Sequence, residues 1–265
     1  MNATSFIYDN INSNTYDLLI CRFSSNSMNN ISSIGEIEVT TDKAAYSSKW
    51  NHFSTSYSKP LEFTFQFTKK TFQKFSTYEQ ATINRWLMNF DEYKWLQFNE
   101  PDYMHILYNA KCTKLEKIEI GNVCFGFEVT FTTDSSYGYS NEIKKHFTIS
   151  QVNQNECITN SSDEIYYLYP KITIAVNKAC DFSIINTYTD EKTELKGCLN
   201  GEIITLDSET RIITSNKRNA IELFEAFNWT WFRLGISLQN RKNNLVFNGN
   251  ASVDFTYREI RKVGI

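Results

Sequence analysis

Two glutamates in the first part of the chain have the spacing of a catalytic carboxylate pair. Glu36 and Glu38 are two residues apart, so on a β-strand both side chains would lie on the same face. Two carboxylates that face one groove are the acid and base, or acid and nucleophile, of glycoside hydrolysis. The same spacing is equally typical of charged residues on the solvent-facing side of a strand. A β-type glycoside hydrolase is therefore one hypothesis, but the pair does not distinguish it from a strand with a solvent-facing side.

The other candidates for catalysis lack the partners that their chemistry needs. His52, His105 and His146 are far apart, and no nucleophile motif of the G-x-S-x-G type lies near any of them. The segment 207–209 (Asp-Ser-Glu) has too few oxygen ligands for calcium and is expected to be a hairpin turn. No glycine-rich phosphate loop is present. We therefore expect no enzymatic activity, no metal and no cofactor.

The composition predicts a globular protein that does not coat nucleic acid. The chain has 265 residues, of which 41% are hydrophobic and 22% charged. A chain of this length buries roughly three quarters of its unfolded surface, so it needs no disulfide or metal to be stable. Its 27 Lys and Arg against 30 Asp and Glu give a net charge of -3. Phosphate affinity requires concentrated cations, so we expect no specific binding of nucleic acid.

Cysteine usage and the amino terminus both indicate synthesis in the cytosol. The six cysteines are scattered, without a C-x-x-C motif or a histidine at ligand spacing, so we expect reduced and buried thiols. The first residues lack a basic start followed by an apolar run. No stretch approaches the roughly 18 apolar residues of a membrane span. We therefore expect neither a secretory signal nor membrane insertion.

Aromatic residues and periodicity favour β-sheet with one helix in the first half. The chain contains 20 Phe, 15 Tyr and 5 Trp, residue types that suit a pleated, half-buried surface. Large residues alternate with polar ones over Leu61–Thr68 and again over Val123–Thr133. The period changes to that of a helix over about 76–90, which opens with a capping box formed by Ser76 and Glu79. Its predicted apolar stripe consists of Tyr78, Ala81, Ile83, Trp86, Leu87 and Phe90.

The second half reads as a series of short strands, typical of a β-sandwich. A polar, turn-rich segment over 134–145 separates the halves, so we predict domains at 1–140 and 141–265. Further strands are predicted in the first half at Trp95–Phe98 and Tyr103–Leu115. Those of the second half are predicted at Phe147–Ile149, Ile165–Tyr169, Ile172–Val176, Phe182–Asn186, Glu202–Asp207, Arg211–Thr214, Trp231–Leu234, Asn244–Phe247 and Val253–Arg258.

Five aromatic residues are candidates for interfaces. Trp50 lies in a polar stretch that we expect to be a long loop, where an exposed Trp can anchor a partner. Trp86, on the predicted helix, belongs either to the core or to a subunit interface. Trp229, Trp231 and Phe232 follow one another closely on the predicted sandwich. Such a cluster can stack on sugars, or fill the core with some members and pack against a neighbouring domain with others.

The order of segments resembles that of the distal tail proteins of siphophages. In the first half, the similar pieces are Tyr8–Ser13, Tyr16–Ile20, Lys59–Phe65, Ile83–Leu87, Trp95–Phe98 followed by Tyr108–Ala110, and Ser136–Tyr139. In the second half they are Tyr169–Ile174, Gly201–Asp207, Phe232–Gly235 and Val253–Arg258. The resemblance covers nearly the whole chain and rests on the order of many weak pieces. Asp17, Ser136 and Ser237 depart from the residues usual in that family.

This resemblance implies a structural protein of the virion tail tip. The amino-terminal domain would be tail-tube-like and form a hexameric ring, which leaves a channel for the tape measure protein and then DNA. The major tail tube protein would lie above the ring and a tail-associated hub or lysin protein below it. The carboxy-terminal domain would be galectin-like and dock receptor-binding or other baseplate proteins. The chain has no large insertion in its second half, so no protruding carbohydrate-binding arm is expected.

Two alternatives from other functional classes remain open on the sequence. One is a carbohydrate-binding β-sandwich with an accessory domain, in which exposed aromatic residues of the second half bind glycan. The other is the glycoside hydrolase suggested by Glu36 and Glu38. Glycan binding by the isolated second domain would favour the first, and loss of activity on replacing the two glutamates would favour the second.

Overall fold

About half of the chain is antiparallel β-sheet, which confirms the predicted mainly β fold class. The structure is a computed structural model that describes residues 3–23, 31–34, 38–43, 45–46, 48–56, 59–88, 91–163, 165, 167–237 and 239–262. Of these, 31–34, 38, 52–53 and 55–56 are described by their backbone alone. The chain divides into two units, the first running to Tyr139 and the second spanning Ser140–Arg261.

The first unit contains eleven of the strands and one α-helix within the described residues. A 3-10 helix, Ser13–Tyr16, joins the second and third strands. The elements are β1 (Phe6–Tyr8), β2 (Ile11–Asn12), β3 (Leu18–Cys21), β4 (Ile31–Ile34), β5 (Glu38–Asp42), β6 (Asn51–Ser56), β7 (Glu62–Lys69), α1 (Thr77–Met88), β8 (Lys94–Phe98), β9 (Tyr108–Ile120), β10 (Val123–Thr133) and β11 (Gly138–Tyr139).

An eight-stranded sheet forms the body of the first unit. Its order is β2-β1-β8-β9-β10-β7-β3, and β4 pairs with β7 beyond the end of β3. The N–H of Ile20 in β3 donates to the carbonyl of Thr4, just before β1, at 2.9 Å. This bond brings the two ends of the sheet together, so the sheet curls around its apolar face. The strands β5 and β6 form a separate two-stranded ribbon.

The alternation predicted along β7 and β10 builds the core of this sheet. Leu61, Phe63, Phe65 and Phe67 are all buried, as predicted. In β10 the alternation is interrupted, because a register shift between Cys124 and Gly126 buries Cys124 and leaves Phe125 only half-buried. A β-bulge of this kind inserts one extra residue into the strand. The side chains before the bulge therefore point to the sheet face opposite to the one that strict alternation would give.

Helix α1 begins as its sequence predicts. The N–H of Ser76 donates to Glu79 Oε2 at 2.7 Å, and the Ser76 hydroxyl oxygen accepts from the Glu79 N–H at 3.3 Å, so the capping box is confirmed. Lys69 of β7 pairs with the same carboxylate, at 2.6 Å. The predicted apolar stripe is only partly right. Ile83, Trp86 and Leu87 are buried, whereas Tyr78 and Ala81 face solvent and Phe90 lies outside the described residues.

Trp86 attaches α1 to the sheet. Its ring stacks on Phe6 of β1, with centroids 5.4 Å apart and planes 12° from parallel. The indole N–H donates to the carbonyl of Tyr8 at 3.2 Å, and the ring of Tyr16 lies 5.0 Å away. With 5% of its surface exposed, Trp86 is a core residue, and its placement among the interface candidates is wrong. A buried Trp whose N–H is satisfied is well suited to fix a helix on a sheet.

The second unit is a β-sandwich, as predicted. Strands β12-β20-β14-β17-β18 form one sheet and β13-β19-β15-β16 the other. Apolar residues of both sheets, among them Ile174, Phe182, Phe247 and Phe255, share one core. The elements are β12 (Ile143–Ile149), β13 (Gln154–Thr159), β14 (Lys171–Val176), β15 (Cys180–Asn186), β16 (Glu191–Cys198), β17 (Ile203–Asp207), β18 (Ile212–Ser215), α2 (Ala220–Ala226), β19 (Lys242–Asn248), β20 (Ala251–Tyr257) and β21 (Ile260–Arg261).

Several predicted elements need correction. The described residues of Ile165–Tyr169 and Trp231–Leu234 do not form strands, and the two segments meet in a bridge between Leu168 and Leu234. Pro170 has no N–H with which to continue a ladder there. The strand predicted at Tyr103–Leu115 begins at Tyr108 and continues to Ile120. Among the described residues, seven strands and one helix were not predicted: β2, β4, β6, β11, β13, β16, β21 and α2. Strand β6 replaces part of the long loop that was expected around Trp50.

The cysteines are free thiols, but they are less uniformly buried than predicted. Cys112, Cys124 and Cys198 are buried, Cys157 is exposed on β13, and the other two are intermediate. Burial raises the pKa of Cys112 to about 12 and that of Cys198 to about 11. These two thiols are therefore protonated at neutral pH and serve as small apolar side chains.

A buried ion pair joins the ends of several strands in the second unit. Glu202 has no exposed surface, and Arg218 Nε donates to its Oε1 at 2.7 Å. The Ser215 hydroxyl donates to the same oxygen at 2.6 Å, and the N–H of Leu199 donates to Oε2 at 2.8 Å. Burial alone would raise the pKa of Glu202, but the hydrogen bonds, led by that from Arg218, outweigh it and lower the pKa below the ordinary 4.5.

Replacing Trp86 should destabilise the first unit. Trp86→Ala leaves a cavity between α1 and β1 and should lower the free energy of unfolding by about 3–5 kcal/mol, measured by denaturant titration. Tyr78→Ala is the matched control, because this aromatic side chain of the same helix is 79% exposed. A loss for Trp86→Ala no larger than that for Tyr78→Ala would contradict the role of Trp86 in the core.

Replacing Glu202 should destabilise the second unit at neutral pH. Because the folded-state pKa is lowered, the carboxylate stabilises the fold above the ordinary value of 4.5, and this contribution is lost as pH falls through the lowered pKa. Glu202→Gln leaves Arg218 buried without its counter-charge and should cost about 3–5 kcal/mol at pH 7. The measurement is the unfolding free energy from pH 7 to pH 2. The variant should lose less stability on acidification than the wild type, whereas Glu225→Gln, at an exposed carboxylate, should follow the wild type.

Candidate assembly surfaces

The five aromatic candidates fall into two groups by exposure. Trp86, Trp231 and Phe232 have 5%, 8% and 3% of their surface exposed, so none of them offers a surface to a partner. Trp231 and Phe232 belong to the core of the sandwich, where Phe232 packs against Phe255 at 5.4 Å. Trp231 and Phe232 are therefore core residues, and their prediction as interface residues is wrong. Trp50 and Trp229 are 66% and 46% exposed and remain candidates.

Trp50 lies at the tip of the β5–β6 ribbon. It directly precedes β6, at the end of the connection that begins with Lys43. The Lys43 ammonium is 5.8 Å from the centre of the Trp50 ring, at the outer limit of a cation–π contact. Val39 of β5 is also 53% exposed. The ribbon therefore presents a large aromatic side chain at its far end.

Trp229 lies in an exposed apolar patch on the second unit. This patch, named here the α2 patch, consists of Ile221, Phe224 and Trp229, which are 73%, 63% and 46% exposed. The rings of Phe224 and Trp229 are 5.0 Å apart, and the Trp229 indole N–H donates to the Phe224 carbonyl at 3.2 Å. Three neighbouring apolar side chains on a surface are a candidate contact site.

The local sequence explains why this patch faces outwards. Asn219 and Glu222 form a capping box that starts α2, and Leu223 is its buried residue. Phe227 is buried as well, so the intervening Phe224 falls on the opposite side of the short helix. The Asn-x-x-Glu pattern was the signal for α2, which is too short to show a helical period.

Trp229 also has an unusual backbone. Its φ is +60°, a left-handed conformation that is uncommon for a bulky residue and costs roughly 1–2 kcal/mol. Strain of this kind concentrates at functional positions. The strained backbone of Trp229 lowers the stability of the sandwich. It is therefore compatible with a role for this residue in binding and not in stability.

The residues considered for catalysis do not assemble into a site within the described part of the chain. Glu36 lies outside the described residues, and Glu38 is described by its backbone only, as the first residue of β5. The pair therefore stays a hypothesis. His52 is on β6, His105 lies in a turn and His146 is on β12.

His146 has a neighbouring carboxylate and hydroxyl. Its Nδ1 is 2.6 Å from Asp254 Oδ1 on the neighbouring strand, and its Nε2 is 3.5 Å from the Thr148 hydroxyl. The order of groups is that of a nucleophilic triad. His146 and Asp254, however, have more than half of their side-chain surface exposed on an open sheet face, where water competes for every bond. The arrangement is a hydrogen-bonded pair on the surface of the sheet.

Neither a cluster of metal ligands nor a membrane-spanning helix occurs among the described residues. No three His, Cys, Asp or Glu side chains lie close enough in that part of the chain to hold a metal ion. None of the helices described is long and apolar enough to cross a membrane.

Two protein-family models together match most of the chain. A family model described as phage tail protein N-terminal domain matches residues 1–135, and one described as phage tail C-terminal domain matches residues 137–257. No curated protein sequence matches the chain.

Solved structures of phage baseplate components share the fold. The Dit protein (gp 19.1) of phage SPP1, described as a paradigm of the hub adsorption apparatus in phages that infect Gram-positive hosts, is 12% identical, with a TM-score of 0.65 over 96% of this chain and 98% of that chain. A chain of the phage P2 baseplate in its activated, calcium-bound conformation is 10% identical, with a TM-score of 0.56 over 99% of both chains. The family models cover both units, and the chain therefore belongs to the phage tail protein family.

Proposed function

We propose that this protein is the hub of the tail tip, a hexameric ring that joins the tail tube to the receptor-binding apparatus and leaves a channel for DNA. The observation that carries the proposal is the likeness of fold to the SPP1 Dit hub protein over nearly the full length of both chains. In this proposal the first unit forms the ring and the second unit lies where other baseplate proteins dock.

Ring formation suits the surfaces of the first unit. Heterologous contacts between identical copies generate a ring when the rotation between them closes. Such contacts need a projecting feature on one side of each copy and a complementary recess on another. The β5–β6 ribbon with Trp50 is a projecting feature of this kind. A net charge of -3 is also compatible with a channel through which DNA slides without binding.

The proposed partners follow from this position in the tail. The major tail tube protein and the tape measure protein would meet the ring on the tube side, and a tail-associated hub or lysin protein on the other. Receptor-binding or other baseplate proteins would dock on the second unit. The α2 patch is the candidate surface for that contact, because its three apolar residues are exposed together.

A carbohydrate-binding module is the second candidate function. The observation that favours it is the pair of exposed rings of Phe224 and Trp229, which offer a stacking surface for a sugar. In both proposals the protein is not an enzyme. Glycan binding that is lost in Trp229→Ala would support the sugar-binding alternative for this patch.

The mass of the protein in solution tests the proposed ring. Light scattering should give six times the chain mass of 31.0 kDa, and negative-stain images of that peak should show an open centre. A protein that stays monomeric at high concentration, or that forms two-fold dimers only, would contradict a self-assembling ring.

Replacing Trp229 should separate binding from stability. Trp229→Gly removes the ring from the α2 patch but relieves the backbone strain at φ +60°, so the unfolding free energy should stay within about 1 kcal/mol of wild type. Binding to a baseplate partner or glycan should be lost in the same variant. Trp231→Gly is the matched control, since this buried Trp should cost several kcal/mol. A similar loss of stability in both variants would contradict the assignment of Trp229 to a contact surface.

A further inference from the structure

One strand of the first sheet has an open edge. Strand β9 pairs with β10 along 110–120, but on its other side β8 pairs only with Tyr108, Asn109 and Ala110. A register shift at Thr113 follows directly. Among the described residues, Lys114–Ile120 has no strand on that second side. An open edge of this length presents unpaired N–H and C=O groups that can accept another strand.

A groove runs beside this open edge. It has a volume of about 280 Å³ and lies between α1 and the face of the β9–β10 hairpin. Ala81, Leu115 and Phe127 supply its apolar surface, and the rim is polar. An apolar cavity of about 150 Å³ is enough for a benzene molecule, so this groove has room for one larger aromatic ring. The residues of the rim are Thr77, Gln80, Asn84 and Lys117.

In contrast to this groove, the β5–β6 ribbon carries apolar side chains that are exposed. It is a two-stranded element to which no third strand is added within the described part of the chain. An isolated hairpin is marginally stable in water and gains from a further strand or a packing surface. Trp50 at its tip and Val39 along its length are apolar side chains that are 66% and 53% exposed.

A second β9 strand is a poor partner for the open edge. Two copies of Lys114–Ile120 that pair over their full length in antiparallel fashion would place Lys117 opposite Lys117. The same register sets Glu116 against Ile118 and Glu119 against Leu115. Like charges and charged–apolar pairs directly opposite each other are unfavourable. A two-fold contact in this full-length register is therefore disfavoured.

We propose that the β5–β6 ribbon of one copy lies on the open edge of β9 in the next copy, with Trp50 in the groove beside α1. This inference rests on the proposed ring and names the contact that closes it. The Trp50 ring packs on Ala81, Leu115 and Phe127, and the Lys117 ammonium faces it from the rim. The amide oxygens of Gln80 and Asn84 are within the same groove to accept the indole N–H.

Two single variants each remove one side of this contact. Trp50→Ala removes the ring but keeps the groove, and Ala81→Trp fills the groove but keeps Trp50. Both sites are exposed, and the melting temperature of each variant serves to show that it is folded. Each variant alone should need at least about 30-fold more protein than wild type to assemble, as expected for a central contact residue. Phe72→Ala, at an aromatic residue that is also 66% exposed, is the control and should assemble as wild type.

A mixture of the two variants gives the decisive result. In an equimolar mixture, Trp50 of the Ala81→Trp copy can enter the intact groove of the Trp50→Ala copy. The ribbon of the Trp50→Ala copy lacks its aromatic ring and the groove of the Ala81→Trp copy is filled, so neither can bind a third copy. Analytical ultracentrifugation should therefore show a one-to-one heterodimer and nothing larger, at a concentration at which each variant alone is monomeric. A mixture that stays monomeric would overturn the proposed contact.

The controls distinguish failure of this contact from failure of the ring. If the wild type forms rings and both variants do so at the same concentration, the contact is wrong and the ring stands. A wild type that never assembles contradicts the ring and this contact with it.

Discussion

The stacking of Trp86 on Phe6, with the indole N–H bonded to the Tyr8 carbonyl, is the interaction on which the first unit depends. It fixes α1, the longer of the two described α-helices, against the start of the sheet, since Trp86 lies near the carboxyl end of α1. The helix also contacts β9, and the groove lies between α1 and the β9–β10 hairpin. The open edge beside it results from the short pairing of β8 with β9.

The distribution of aromatic side chains explains the unusual composition of the chain. Half of the aromatic side chains that the structure describes are buried, among them Phe6, Phe63, Phe67, Phe98 and Phe131 in the first unit, and Phe182, Phe247 and Phe255 in the second. Aromatic richness is therefore chiefly a property of the sheets and not of the interfaces. The exposed rings of Trp50, Phe224 and Trp229 are the candidates for contacts, because they are not part of either core.

The sequence predicted what depends on local pattern. The alternation around β7 and the capping box of α1 are direct consequences of neighbouring residues, and both were found. The strands β13 and β16 were missed because their side chains are mostly polar or charged, with Ile158 and Leu195 among the few that are buried. Three of the five interface candidates were wrong, since whether a Trp is buried depends on the elements packed over it. The groove beside β9 combines residues from α1, β9 and β10, which only the folded chain brings together.

The central claim, that copies join through the open edge of β9, is tested most directly by amide hydrogen exchange. The amides of Lys114–Ile120 would be compared between the assembled ring and the dilute monomer. We predict much slower exchange for this segment in the ring, with no change at the edge strand Ile212–Ser215 of the second unit. Equal exchange of Lys114–Ile120 in the two states would contradict the account.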